Sequence, residues 1–161
     1  MGVNTMFKNV KNNKGFTLIE LLAVIVIMGV LMMVAIPQVT KYIENSKKDA
    51  YVETSKAYIN AVRYALLNDE LPESLPEAGG TTTVTLDKVT VESGGEKSPY
   101  GKNIQKDKSC VKITASSGAD NVEYTYEISI TDGSAGTSAS TKEKDLKRGS
   151  FVKTNAKACG Q

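Results

Sequence analysis

Phe16–Val39 reads FTLIELLAVIVIMGVLMMVAIPQV, and Glu20 is the only charged residue within it. At helical rise this stretch is about 36 Å long, enough to cross the hydrocarbon core of a bilayer. The residues before it, Met1 to Gly15, carry Lys8, Lys11 and Lys14 and no acid. Lysines on that side of an apolar span stay cytoplasmic and direct the bulk of the chain outward. An ordinary secretory signal is a poor match, because its apolar region is shorter and is followed by a small-residue cleavage site.

Beyond Pro37 the chain does not turn. Ile43, Ala50, Tyr51, Ala57, Tyr58, Ala61, Val62, Ala65 and Leu66 recur at intervals of three and four, which predicts one packed helical face. The pattern gives a single helix from about Thr17 to about Asn68, bare and apolar in its first half and covered on one side in its second. Leu71-Pro72, Pro76 and Gly79-Gly80 are the expected stop. Strand patterns follow: Thr83–Leu86 and Val89–Val91, with Asp87-Lys88 as a turn between them, then Cys110–Thr114 and Val122–Ile130. The segments 93–107 and 132–141 read as loops, and Lys142–Arg148 as one short charged turn. An antiparallel sheet of three or four strands over the covered half of the helix makes the fold α+β. The domain division expected is 1–15, 16–39 and 40–161.

Composition excludes several functions. The chain has no histidine or tryptophan and a formal net charge of +2. Without histidine there is no Ser-His-Asp triad and no His-Glu metal site. Two cysteines, Cys110 and Cys159, cannot build a four-ligand metal centre. In an exported domain they would most simply pair with each other; two separate reduced thiols are the alternative. No catalytic residue, metal or cofactor is expected, so an anchored extracytoplasmic enzyme has no constellation to support it.

Lys14-Gly15-Phe16-Thr17-Leu18-Ile19-Glu20, set where the basic leader meets the apolar run, resembles the processing site of class III signal peptides in type IV pilins and pilin-like proteins. The resemblance implies a type IV pilin fold and a prepilin peptidase that cuts between Gly15 and Phe16 and N-methylates Phe16. It implies that Glu20 neutralises the new amine of a neighbouring subunit during assembly. It also makes Gly29 and Pro37 the ends of a helix segment that loosens in the filament, although both residues are simply commoner in membrane helices. Cys110 and Cys159 match a C-terminal disulfide loop common among these pilins. The implied partners are further copies of the chain in a helical filament, the pilus assembly machinery, and a single-pass position in the cytoplasmic membrane before export to the cell surface. Adhesion and motility are among the roles such filaments serve.

A second reading is a minor pilin or competence pseudopilin that binds DNA or a surface. Lys142–Arg148 holds four bases against two acids, a composition that also describes an ordinary solvated surface.

Overall fold

The computed structural model describes residues 15–91, 95–118, 121–153 and 156–160. The expected leader, with Lys8, Lys11 and Lys14, lies outside the described residues except for Gly15. The main helix, α1, runs Leu18–Leu67, and the strands are β1 (Thr81–Thr85), β2 (Cys110–Ser117), β3 (Val122–Ser129), β4 (Gly136–Thr137), β5 (Thr141–Lys142) and β6 (Phe151–Val152). The chain divides into two units, Met1–Lys41 and Tyr42–Gln161.

In the first unit every large apolar side chain from Phe16 to Val39 is exposed. Gly29 and Pro37 both lie inside α1. The Thr40 hydroxyl donates to the Ile36 carbonyl at 3.0 Å.

The second unit is built on Tyr51, Val52, Ser55, Tyr58, Ile59, Val62, Ala65 and Leu66, which form the buried stripe of α1. The stripe is rotated from the expected one. Ile43 and Ala50 are exposed, Ala57 and Ala61 are half-buried, and Val52 and Ile59 take the core places. Alanine contributes little area, so the larger β-branched side chains set which face turns inward. Tyr64, on the same helix, is exposed.

The helix stops at Leu67, next to the expected end at about Asn68. The Glu70 N–H reaches the Ala65 carbonyl at 2.9 Å, and Asp69 takes φ 54°. This is a Schellman-type end, with Asp standing where glycine is commonest because its short polar side chain tolerates the left-handed conformation.

The main sheet has the order β1-β2-β3-β5, antiparallel throughout, and β4 and β6 form a separate two-stranded ribbon. Register places Val84 opposite Val111, Val111 opposite Ile128 and Ile113 opposite Tyr126. These side chains pack with α1 in one core. The alternate positions pair Lys112 with Glu127 and Glu127 with Lys142 on the other face.

The expected hairpin of Thr83–Leu86 with Val89–Val91 does not form. Leu86–Lys88 is a 3-10 turn, Val89 is buried outside any strand, and β1 pairs with β2 instead. A two-residue hairpin turn needs positive φ at its first centre or at both, which Asp-Lys does not favour.

The 132–141 segment, expected to be an exposed loop, contains buried Asp132, Ala135 and Thr137 and supplies β4. Gly136 permits this. A side chain there would press into the Ile130 carbonyl oxygen, so only glycine lets the two backbones approach so closely. Lys142–Arg148 is likewise not one turn. It ends β5, forms a 3-10 turn over Glu143–Asp145, buries Leu146 and starts another at Arg148.

Cys110 and Cys159 are joined in a disulfide, with Cα atoms 5.6 Å apart and a sequence separation of 49. The tail that carries Cys159 is also held by backbone bonds from Cys159 to Lys108 (2.8 Å) and from Lys157 to Thr137 (3.0 Å). The Ser129 hydroxyl donates to the Lys157 carbonyl at 2.9 Å.

Candidate functional site

Gly15 and Phe16 precede α1, and both are exposed. The helix is opened by a reciprocal pair. The Thr17 backbone N–H and hydroxyl donate to Glu20 Oε2 at 2.8 and 2.9 Å, and the Glu20 backbone N–H donates to Thr17 Oγ1 at 3.2 Å. This is a capping box: Thr17 caps, and Glu20, three residues on, reaches back. The carboxylate also sits at the positive end of the helix dipole. Sequence reasoning treated Glu20 as an assembly residue alone. The Thr-x-x-Glu spacing that marks a capping box was visible in the same motif.

Phe16, Glu20, Leu21, Ala23 and Val24 line an open recess of about 470 Å³. Apart from the Glu20 carboxylate its walls are apolar, so the site presents one acceptor in an apolar setting.

The bare run decides what surroundings the chain requires. Seventeen large apolar side chains from Phe16 to Val39 are exposed. Covering each is worth about 1.5–3 kcal/mol. The total, roughly 25–50 kcal/mol, exceeds the whole stability of a typical domain, about 5–15 kcal/mol. α1 is long and apolar enough to cross a membrane.

The second unit carries two further polar clusters. Asp132 is buried and accepts from the Ser98 hydroxyl, from the Ser134 hydroxyl and from the backbone N–H groups of Ser134 and Ala135. Burial pushes its carboxyl up, but those hydrogen bonds outweigh it and hold the group below the usual aspartate range. Glu44 accepts from the Tyr100 hydroxyl at 2.6 Å and from Lys153 Nζ at 2.7 Å. The Lys153 bond, then the Tyr100 bond, hold its carboxyl below the usual glutamate range.

The cations of Lys142–Arg148 are partly engaged: Arg148 pairs with Asp49 at 2.5 Å, and Lys142 stands opposite Glu127. Among the described residues no cluster of three His, Cys, Asp or Glu side chains could hold a metal ion.

A family model described as the prokaryotic N-terminal methylation motif matches residues 10–36. The match supports a class III signal peptide of the type IV pilin-like kind, and it covers Gly15, Phe16, Glu20 and most of the apolar run. No curated protein and no solved structure matches the chain. Past residue 36 the pilin-like character rests on architecture: one long N-terminal helix and an antiparallel sheet.

Proposed function

We propose that this chain is the precursor of a structural subunit of a type IV pilus-like filament on the cell surface. A prepilin peptidase cuts the Gly15–Phe16 bond and N-methylates Phe16, which removes the lysine-bearing leader and leaves the apolar helix intact. The mature protein waits in the cytoplasmic membrane as a single-pass chain. The pilus assembly machinery then transfers it into a helical bundle of its own kind, where neighbouring helices replace the lipid.

The observation that carries this reading is the exposed apolar run that begins immediately after Gly15 and holds one carboxylate. Moved into hydrocarbon, that carboxylate costs about 2.5–3.5 kcal/mol unless a cation meets it. Cleavage creates such a cation at Phe16. An incoming subunit therefore relieves its own burial cost only at the register where its Glu20 meets the amine of a neighbour. The Thr17 bonds hold the carboxylate at the helix start until then. Between Gly29 and Pro37 the helix is weakened by an interior glycine and an interior proline, and we assign the bend that close packing demands to that segment. Adhesion and motility are the roles we assign to the assembled filament.

The test is Glu20→Gln in cells that assemble the filament. Cleavage after Gly15 should remain normal while surface filaments are lost. Normal filament yield from the variant would remove the pairing mechanism.

A further inference from the structure

Within the Tyr42–Gln161 unit, α1 starts uncovered. Tyr42 and Ile43 are exposed, and the buried stripe begins only at Tyr51. Beside this bare start a cationic cluster surrounds one aromatic ring. Lys47 Nζ lies 5.2 Å and Lys153 Nζ 5.6 Å from the centroid of Tyr100. Lys153 also bonds Glu44, and Lys48 is close enough to act on the Glu44 charge.

Two other acids among the described residues have hydrogen-bond partners of their own. Asp49 faces Arg148, and Asp132 is satisfied by Ser98, Ser134 and Ala135. Among the described residues, Lys47, Lys48 and Lys153 thus face the charges of Glu44 and Asp132, the latter also acting on Tyr100 through space. Three ammonium groups against two carboxylates leave one positive charge in excess. Two like charges held against one ring repel each other, so an anion placed between them is attracted by both.

The position along the helix selects the anion. Glu44 and Lys47 fall five and eight residues past Val39, about 7.5 and 12 Å at helical rise. The headgroup layer on each side of a bilayer is about 5–8 Å deep. Lysine stems extend along apolar surface to place their charge in it. Tyr42, three residues past the apolar run, takes the place where tyrosines concentrate at the membrane boundary.

We propose that Tyr42, Lys47, Tyr100 and Lys153 form a docking site for the phosphate headgroup of an anionic phospholipid. The site holds the chain at the outer membrane surface before it enters a filament. The inference rests on the membrane-spanning reading of Phe16–Val39 and is independent of cleavage after Gly15.

The experiment uses the full chain with labelled tyrosine rings in zwitterionic micelles, titrated with phosphatidylglycerol. The Tyr42 and Tyr100 ring signals should shift and saturate. Phosphatidylcholine, and free glycerol phosphate at the same concentration, should leave them in place. K47Q/K153Q should weaken the apparent affinity by roughly fivefold per lysine lost, while K106Q/K108Q should not change it.

Equal shifts with phosphatidylcholine, or a titration unmoved by K47Q/K153Q, overturn the site. Shifts with free glycerol phosphate equal to those with the lipid would mean a soluble phosphate site and refute the membrane role. Shifts that follow protein concentration rather than lipid would show a second copy covering this face, and would also refute it. The cleavage reading is scored separately, by the N-terminus of the chain, so its failure cannot be mistaken for failure here.

Discussion

Removing the Cys110–Cys159 bridge is expected to destabilise the sheet unit far more than it alters the fold. The bridge closes a loop with a sequence separation of 49 residues. Loop-closure entropy for that length gives about 4 kcal/mol as the ceiling. The observed tail contacts lower the realised figure. Lys157 and Cys159 donate backbone hydrogen bonds to Thr137 and Lys108, and the Ser129 hydroxyl caps the Lys157 carbonyl. These bonds keep the tail near β2 after the covalent link is gone.

A loss of roughly 2–4 kcal/mol is therefore expected. Hydrogen exchange of the full chain in micelles, read on β2 and β3 amides such as those of Val111, Ile113 and Ile128, measures it directly. These three side chains are fully buried, so their amides should open only with the whole unit. C110A/C159A should accelerate their exchange between about thirtyfold and several hundredfold, at 1.4 kcal/mol per factor of ten. Exchange at Lys157 and Cys159 should also rise but stay slower than in an open chain, because their backbone bonds to Thr137 and Lys108 remain. Core amides that exchange at the wild-type rate in the double variant would refute the reasoning, because the bridge would then constrain nothing beyond its own tail.

Gly136→Ala should destabilise the second unit by about 1–3 kcal/mol, because its methyl group would meet the Ile130 carbonyl oxygen and the Thr131 backbone; urea unfolding of the sheet unit checks this, and an unchanged midpoint would contradict it. Asp132 gives a pH signature. Its folded-state pKa is depressed, so its contribution is full above the unfolded aspartate pKa and is lost as pH falls through the lower folded value. Asp132→Asn should therefore be less stable than wild type at neutral pH and approach it in strong acid; a difference that stays constant with pH would show that the charge plays no part.

The helix and its bare half were legible because a continuous apolar run obeys a single rule: its side chains need cover, whatever they later pack against. The cleavage motif was legible because Gly15, Phe16 and Glu20 lie within one short stretch of sequence. The rotated stripe was harder to see. Ala57 and Ala61 fit the helical period as well as Val52 and Ile59, and only the volume available under the sheet chooses between them. Val89 looked like a strand because β-branched residues suit strands and buried loops alike. Thr137 and Asp132 looked like loop surface because their polar groups are satisfied by distant partners such as Ile130 and Ser98. The Tyr100–Lys47–Lys153 cluster draws on three separated segments, and no local pattern announces it.

The central claim is that cleavage turns a leader-bearing membrane chain into a filament subunit with a charged, methylated end. The most direct measurement is the N-terminal sequence and intact mass of the protein in filaments sheared from cells. The account predicts a chain that begins at N-methylated Phe16. Filaments whose subunits retain Lys14-Gly15, or begin at any other residue, would contradict it.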